Sequence, residues 1–378
     1  MGMQLFSDLT SNISKKFSGK KIAVGVDVST KSVKVVLLEK ENKQIVLKNY
    51  AIARTKESLI QVGEIGVIND FAGNIVKETL SSAGIKNDLV NVAIPSFTSL
   101  IITIEVPYIA SKKFDEAIRR EVSKYIPVKI EDVVYDWQII DEDGLRTETQ
   151  GVQTEGSEKK PQQDGTMVKI LVIAVMQEIS SRYNEVFSLN NLDINLLEID
   201  SISLARSLTR DKKGVYLILD IGHAACNILL SSHQGILLNR TIDVGGDKMT
   251  KIIADSMKTS FDRAEQLKRE QGINVMANDQ RTGVLSTALS MITSEIKKTI
   301  QLFNADFKGV NINGIILTGG SASMIGLKDL IQKEVGVETK IGNALEGIAF
   351  KPEIKDALLS HASALSIAIG LALINFEK

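Results

Sequence analysis

The sequence predicts a two-lobed α/β protein: two related halves and one inserted α+β segment. Three observations predict it. A three-strand meander occurs twice, over residues 21–54 and 215–246. Each copy leads into helical pattern and then a short buried strand. The stretch between them, residues 96–201, does not repeat and carries its own pattern.

The first meander reads KIAVGVD, SVKVVLLEK and QIVLKNYAIAR, β-branched and aliphatic runs separated by polar turns. The second reads VYLILDI, CNILLSS and GILLNRTIDVGG. Superposing Asp27 on Asp220 places Ser29 on Gly222 and Lys34 on Asn227. It also places Val35-Val36-Leu37 on Ile228-Leu229-Leu230. Recurrence at a fixed offset marks a structural repeat.

After the first meander, Phe71, Ile75, Val76 and Leu80 share one face of a helix expected over residues 69–83. A buried strand follows at 89–95. The second half has its counterpart strand at 314–318, after extra helices expected over 256–270 and 282–303. In the latter, Leu285, Leu289, Ile292, Ile296, Ile300 and Phe303 face inward. An Ala- and Leu-rich helix is expected over 357–376. The insertion reads as strand 99–105, helix 111–124, strands 133–140 and 169–176, helix 179–190 and strand 193–200. Its polar residues 141–166 are expected to be a long disordered loop.

Composition narrows the function. There are 45 Lys+Arg against 46 Asp+Glu and no long basic block, which argues against nucleic acid. Only 5% of residues are aromatic, too few for a base-stacking surface. A single cysteine, Cys226, forms no internal disulfide and suits a reducing compartment. With 3 histidines, a transition-metal site is not expected. No apolar run reaches the roughly 20 residues of a membrane span. Leu5, Leu9, Ile13 and Phe17 form one stripe in the N-terminal segment, read as a short docking helix.

In α/β folds the strand-end turns of both halves face one cleft, where ligands bind. The first turn, Asp27-Val28-Ser29-Thr30-Lys31, offers backbone N–H groups and two hydroxyls to phosphate oxygens, with Lys34 nearby. In the second, Asp220-Ile221-Gly222-His223-Ala224, Gly222 lets the backbone approach a ligand. Asp27 and Asp220 suit Mg²⁺ held through water, with Asp220 as the candidate catalytic group. Gly245-Gly246 and Thr318-Gly319-Gly320-Ser321 offer open backbone for a flat nucleoside. Glu265 and Lys268 can reach ribose or base, although their spacing also suits an intrahelical ion pair.

This ordered set, with Ala264-Glu265-Gln266-Leu267-Lys268, resembles the actin/Hsp70/FtsA ATPase superfamily. Val106-Pro107-Tyr108, Tyr125-Ile126-Pro127, Val244-Gly245-Gly246-Asp247, Gly319-Gly320-Ser321-Ala322 and Ala368-Ile369-Gly370-Leu371-Ala372 are most similar to the PilM family of type IV pilus assembly ATPases. The resemblance implies an actin-like (ribonuclease H-like, duplicated) fold with an FtsA-type 1C (SHS2) subdomain. Its parts would be an N-terminal segment 1–19, subdomain 1A at 20–95 completed by 344–378, 1C at 96–201, 2A at 202–246 and 309–343, and 2B at 247–308.

It further implies ATP and Mg²⁺ between the lobes, and a cytoplasmic location at the inner-membrane face. A PilN-like membrane protein's tail would bind in a groove walled by 96–137 and 168–177, with pilus motor ATPases as further partners and twitching motility as the output. Ser29 stands where the family usually has Gly. No acid closely follows the 89–95 strand, Glu105 being the nearest, so any hydrolysis is expected to be slow. An FtsA-like division protein and a small-molecule kinase of the same superfamily are the alternatives.

Overall fold

The computed structural model describes residues 22–61, 67–109, 113–140, 165–233, 235–276 and 283–376. The expectations for the N-terminal stripe and nearly all of the 141–166 loop lie outside these residues.

The meanders form as the apolar runs dictate. In the first, β1 (Ile22–Ser29), β2 (Ser32–Glu41) and β3 (Gln44–Arg54) pair antiparallel in sequence. Helix α1 (Asp70–Ser82) follows, capped by the Asn69 side chain accepting from the Ala72 amide. Its buried face is Ala72, Val76, Thr79 and Leu80; Phe71, expected inside, is 43% exposed. Phe71 lies one turn before half-buried Ile75, at the edge of the buried face rather than within it.

Strand β4 (Leu89–Ile94) then pairs parallel with β1. The insertion contributes β5 (Ser99–Pro107), α2 (Lys113–Val122), β6 (Val133–Ile139) and β7 (Met167–Met176), with sheet order β5-β7-β6. Phe114, Ile118 and Val122 of α2 pack on that sheet as a separate small core.

Helix α3 (Gln177–Leu189) and strand β8 (Asp193–Ile199) follow. β8 pairs parallel with β4, so it extends the first-lobe sheet rather than the inserted one. The sheet of the insertion is therefore narrower than 96–201. Helix α4 (Asp200–Thr209) leads to the second lobe.

There β9 (Val215–Ile221), β10 (Cys226–Ser232) and β11 (Gly235–Ile242) repeat the meander. Helices α5 (Gly246–Met257) and α6 (Phe261–Gln271) replace the single helix expected over 256–270. Lys258 takes a left-handed conformation (φ 50°) and Ser260 caps α6, which splits the run. The long α7 (Gly283–Asp306) buries Leu285, Leu289, Ile292, Ile296 and Phe303 as its period requires.

Strand β12 (Ile312–Thr318) pairs parallel with β9, and α8 (Leu327–Val335) leads to β13 (Thr339–Ile341). Strand β14 (Ile348–Ala349) returns to the edge of the first sheet. The orders β3-β2-β1-β4-β8 and β11-β10-β9-β12-β13 are the same topology.

The C-terminal run is two helices, α9 (Lys355–His361) and α10 (Ser366–Leu373), bent by 115°, where one helix was expected. The bend is set from outside: Thr318 Oγ1 (2.8 Å) and the Gly319 amide (3.3 Å) donate to the Ser363 carbonyl. Helix α10 is buried on the first sheet. Gly25 of β1 permits this, since a Cβ there would collide with the Ala368 carbonyl. Behind it, Arg206 donates to Glu198 (3.0 Å) and to the Gly370 carbonyl (3.0 Å), a buried pair joining α4, β8 and α10. Among the described residues no single helix is long and apolar enough to cross a membrane.

Candidate functional site

The duplication brings two acid-tipped hairpins onto one cavity of about 540 Å³. Asp27, near the end of β1, pairs with Lys34 of β2; Asp220, near the end of β9, pairs with Asn227 of β10. Of the predicted ligand-binding residues, Asp27, Ser29, Thr30, Lys34, Gly222, His223, Gly246, Glu265, Lys268, Gly319, Gly320 and Ser321 all line this cavity, as does Asp220. Gly245 does not; it serves behind the wall, where a Cβ would collide with the His223 carbonyl.

Electrostatics differ between the two turns. Lys34 Nζ sits 2.7 Å from Asp27 Oδ2 and donates to Ser29 Oγ at 2.8 Å; Ser29 in turn donates to Asp27 Oδ1 at 3.1 Å. The Ser29 hydroxyl is therefore engaged by its own hairpin. Asp220 has no cation opposite it. Burial first, then the charges of Asp200 and Asp27, push its carboxyl up to about 7, with Lys34 pulling weakly the other way.

The second turn is tied to the start of α5. The Gly246 amide donates to the Gly222 carbonyl and the Asp247 amide to the His223 carbonyl, both at 2.9 Å. Burial holds His223 below its ordinary range, Asp247 pulling it up from 3.2 Å and Lys31 pushing it down. Lys268 Nζ donates to the Gly246 carbonyl (2.9 Å) and Thr250 Oγ1 (2.7 Å), and sits 2.6 Å from Glu265. Burial would raise the Glu265 carboxyl, but hydrogen bonds from Lys268, Thr250 and Arg269 hold it at about 2. The pair thus faces the cavity while bracing α6 against α5.

The two glycines after β12 divide their tasks. Gly319 has φ +89°, and a Cβ there would strike the Asp220 carboxylate. Gly320 faces open space, with nothing within 4 Å of a Cβ. This leaves a flat, unobstructed backbone against the cavity.

Sequence reasoning missed Asp200. It was placed at the end of a strand in the insertion, yet it opens α4 beside β4 and lines the cavity. The Ser96 amide donates to it at 3.1 Å and the Ser96 hydroxyl also binds it. Burial, with some push from Asp27, raises it to about 6. An acid is thus present where the sequence showed none after residues 89–95. It comes from the first residue of α4, directly after the neighbouring parallel strand β8.

A second cavity of about 480 Å³ lies between β5 and β11, lined by Ser99, Ile101, Asn239 and Thr241 among others. Among the described residues no group of three His, Cys, Asp or Glu side chains stands ready to hold a metal ion directly.

Two sheets of one topology, each presenting an acid-tipped hairpin to a shared cleft, define an actin-like protein. The family model of the type IV pilus assembly protein PilM matches residues 25–376, and the chain belongs to that family. Among solved structures, the PilM-PilN type IV pilus biogenesis complex superposes with TM-score 0.76 at 24% identity, covering 94% of this chain and 99% of that one. MreB5 of Spiroplasma citri bound to ADP superposes with TM-score 0.54 at 13% identity, over 93% and 94% of the two chains. These likenesses show the fold.

In sequence, the cell division protein FtsA of Bacillus subtilis is 27% identical over 159 residues, 37% of this chain and 36% of that protein. FtsA of Streptococcus pneumoniae is 23% identical over 84% of this chain and 74% of its own length. The chain thus spans about a third of the first relative and about three quarters of the second.

Proposed function

We propose that this chain is a cytoplasmic, nucleotide-binding adaptor of a type IV pilus machine. In this reading it holds Mg·ATP between its lobes and binds the tail of a PilN-like inner-membrane protein. The observation that carries the nucleotide reading is the twin-hairpin cavity, with Asp27 and Asp220 on its floor and unobstructed Gly320 on its wall. MreB5, of the same fold, was solved with ADP.

The donor set fits a magnesium ion held through water. Asp27 is committed to Lys34 and Ser29, whereas the Asp220 carboxylate has no hydrogen-bond partner among the described residues. Mg²⁺ favours carboxylates, water and phosphate oxygens together. When bound, it would neutralise phosphate charge. Asp220 and Asp27 would orient its waters, and Asp200 would stand on the same floor as a candidate water-orienting group. A carboxyl raised to about 6 is mostly ionised at neutral pH, the form a water-orienting group needs, and loses that form as pH falls below 6.

For the partner, the family and the PilM-PilN complex support a PilN-like tail. The inserted sheet and its margins, residues 96–137 and 168–177, are the proposed walls. Exposed Tyr125 and Val128 give them apolar surface for an extended peptide. Coupling of the motor side to the membrane side, and twitching motility, would follow from that binding.

Isothermal titration of the full chain tests both halves, first with Mg·ATP and then with a synthetic PilN-like tail. Saturable binding of each is expected. Absence of tail binding, with and without nucleotide, would remove the partner assignment and leave the nucleotide assignment standing.

A further inference from the structure

We propose that Lys31, Arg54 and Lys56 form a cationic rim that takes the terminal phosphate of a nucleoside triphosphate, so that the cleft distinguishes tri- from diphosphate. This rests on the nucleotide reading above and deepens it.

All three side chains line the cavity from the first lobe. Among the described residues none of them enters an ion pair, in contrast to Lys34, which is committed to Asp27. Their positions are fixed by the backbone. Arg54 is the cross-strand partner of Ser32, at the mouth of the β1–β2 hairpin. The Thr55 amide donates to the Lys31 carbonyl at 3.1 Å, and the Leu59 amide to the Thr30 carbonyl at 2.7 Å. The exit of β3 is thereby fastened to the turn whose backbone faces the ligand. Lys31 itself reaches across the cleft electrostatically, since its charge is one of those that depress His223.

The floor explains why such a rim is needed. Asp27, Asp200 and Asp220 all line the cavity, and Lys34 is their one near cation among the described residues. An acidic floor repels phosphate, and a single magnesium ion offsets only part of that. A magnesium triphosphate carries one more negative charge than the corresponding diphosphate. The extra phosphate therefore gains most from cations that nothing else uses. Cavity-bound Lys268 does not serve, being held by Glu265, Thr250 and Gly246. Arg54 and Lys56 are exposed and have no ion-pair partner among the described residues, so they can close on an arriving anion.

The test is titration of the full chain with Mg·ATP and with Mg·ADP, comparing wild type with the double variant Arg54→Ala/Lys56→Ala and the exchange Arg54→Lys/Lys56→Arg. The double alanine variant should lower ATP affinity about tenfold while ADP affinity stays within about twofold, and the charge-preserving exchange should restore most of the ATP preference. Equal losses for both nucleotides, or no loss for either, would overturn the rim. If wild type binds neither nucleotide, the nucleotide reading itself fails, a result distinct from a changed ratio. Because both side chains are exposed and neither has an ion-pair partner among the described residues, the variants should melt as wild type does.

Discussion

Asp220 faces Asn227 across its hairpin at the very position where Asp27 faces Lys34. The two lobes share this register, yet only the first lobe supplies a cation. The unneutralised carboxylate of the second lobe is the one left available to a cation from solution.

That asymmetry gives a pH dependence. The Asp220 carboxyl is raised from 3.8 to about 7 by burial and its acidic neighbours. A bound magnesium ion needs the ionised form, so binding below pH 7 must first expel a proton. Mg·ATP affinity should fall about tenfold between pH 8 and pH 6, and Asp220→Asn should abolish most of that slope. Titration at several pH values measures it.

Stability follows the same group with a fixed sign. A folded pKa above the unfolded one stabilises the fold fully below about 3.8, and that contribution is lost as pH rises through about 7. Asp220→Asn should therefore raise the melting temperature of the ligand-free protein, and more at pH 8 than at pH 5. Asn227→Lys, which copies the first lobe into the second, should also stabilise the ligand-free protein at pH 8 while weakening Mg·ATP binding.

The paired glycines should separate. Gly319→Ala forces a Cβ against the Asp220 carboxylate at φ +89° and should destabilise the protein by about 1–3 kcal/mol. Chemical denaturation reads this out.

Ser29 holds both Asp27 and Lys34. Ser29→Gly removes that tie and leaves Lys34 one partner fewer, so Lys34 can turn to phosphate. Tighter ATP binding is the expected outcome; weaker binding would show that the Ser29 hydroxyl itself contacts the ligand.

Arg206→Ala should cost about 3–5 kcal/mol, because it strands Glu198 as a buried charge with no counter-ion. Replacing both with apolar residues should recover much of this. Denaturation of wild type and the two variants distinguishes the outcomes.

The duplication and the meanders were legible in the sequence, and nearly all of the site residues it singles out line the cavity. They follow from local signals: period-two apolar runs, and acids placed at equivalent offsets from the turns. Less legible was whatever distant contacts decide. The apolar pattern over 357–376 cannot show the break after His361, since Thr318 and Gly319 impose it through the Ser363 carbonyl. Asp200 looked like a strand end because its place in the cavity depends on β8 pairing parallel with β4. The spacing of Glu265 and Lys268 suits an ion pair or a ligand contact; the structure shows the ion pair and places both residues on the cavity.

The central claim is that the cleft between the two lobes holds a nucleotide. Its most direct test is titration of wild type and Gly320→Val with Mg·ATP. A Cβ at Gly320 meets nothing within 4 Å and Gly320 lines the cavity, so the valine is expected to project into the cavity and to leave the fold undisturbed. The account predicts saturable binding to wild type and loss of binding in the variant, with an unchanged melting temperature of the free protein. Equal binding by both proteins, or none by wild type, would contradict it.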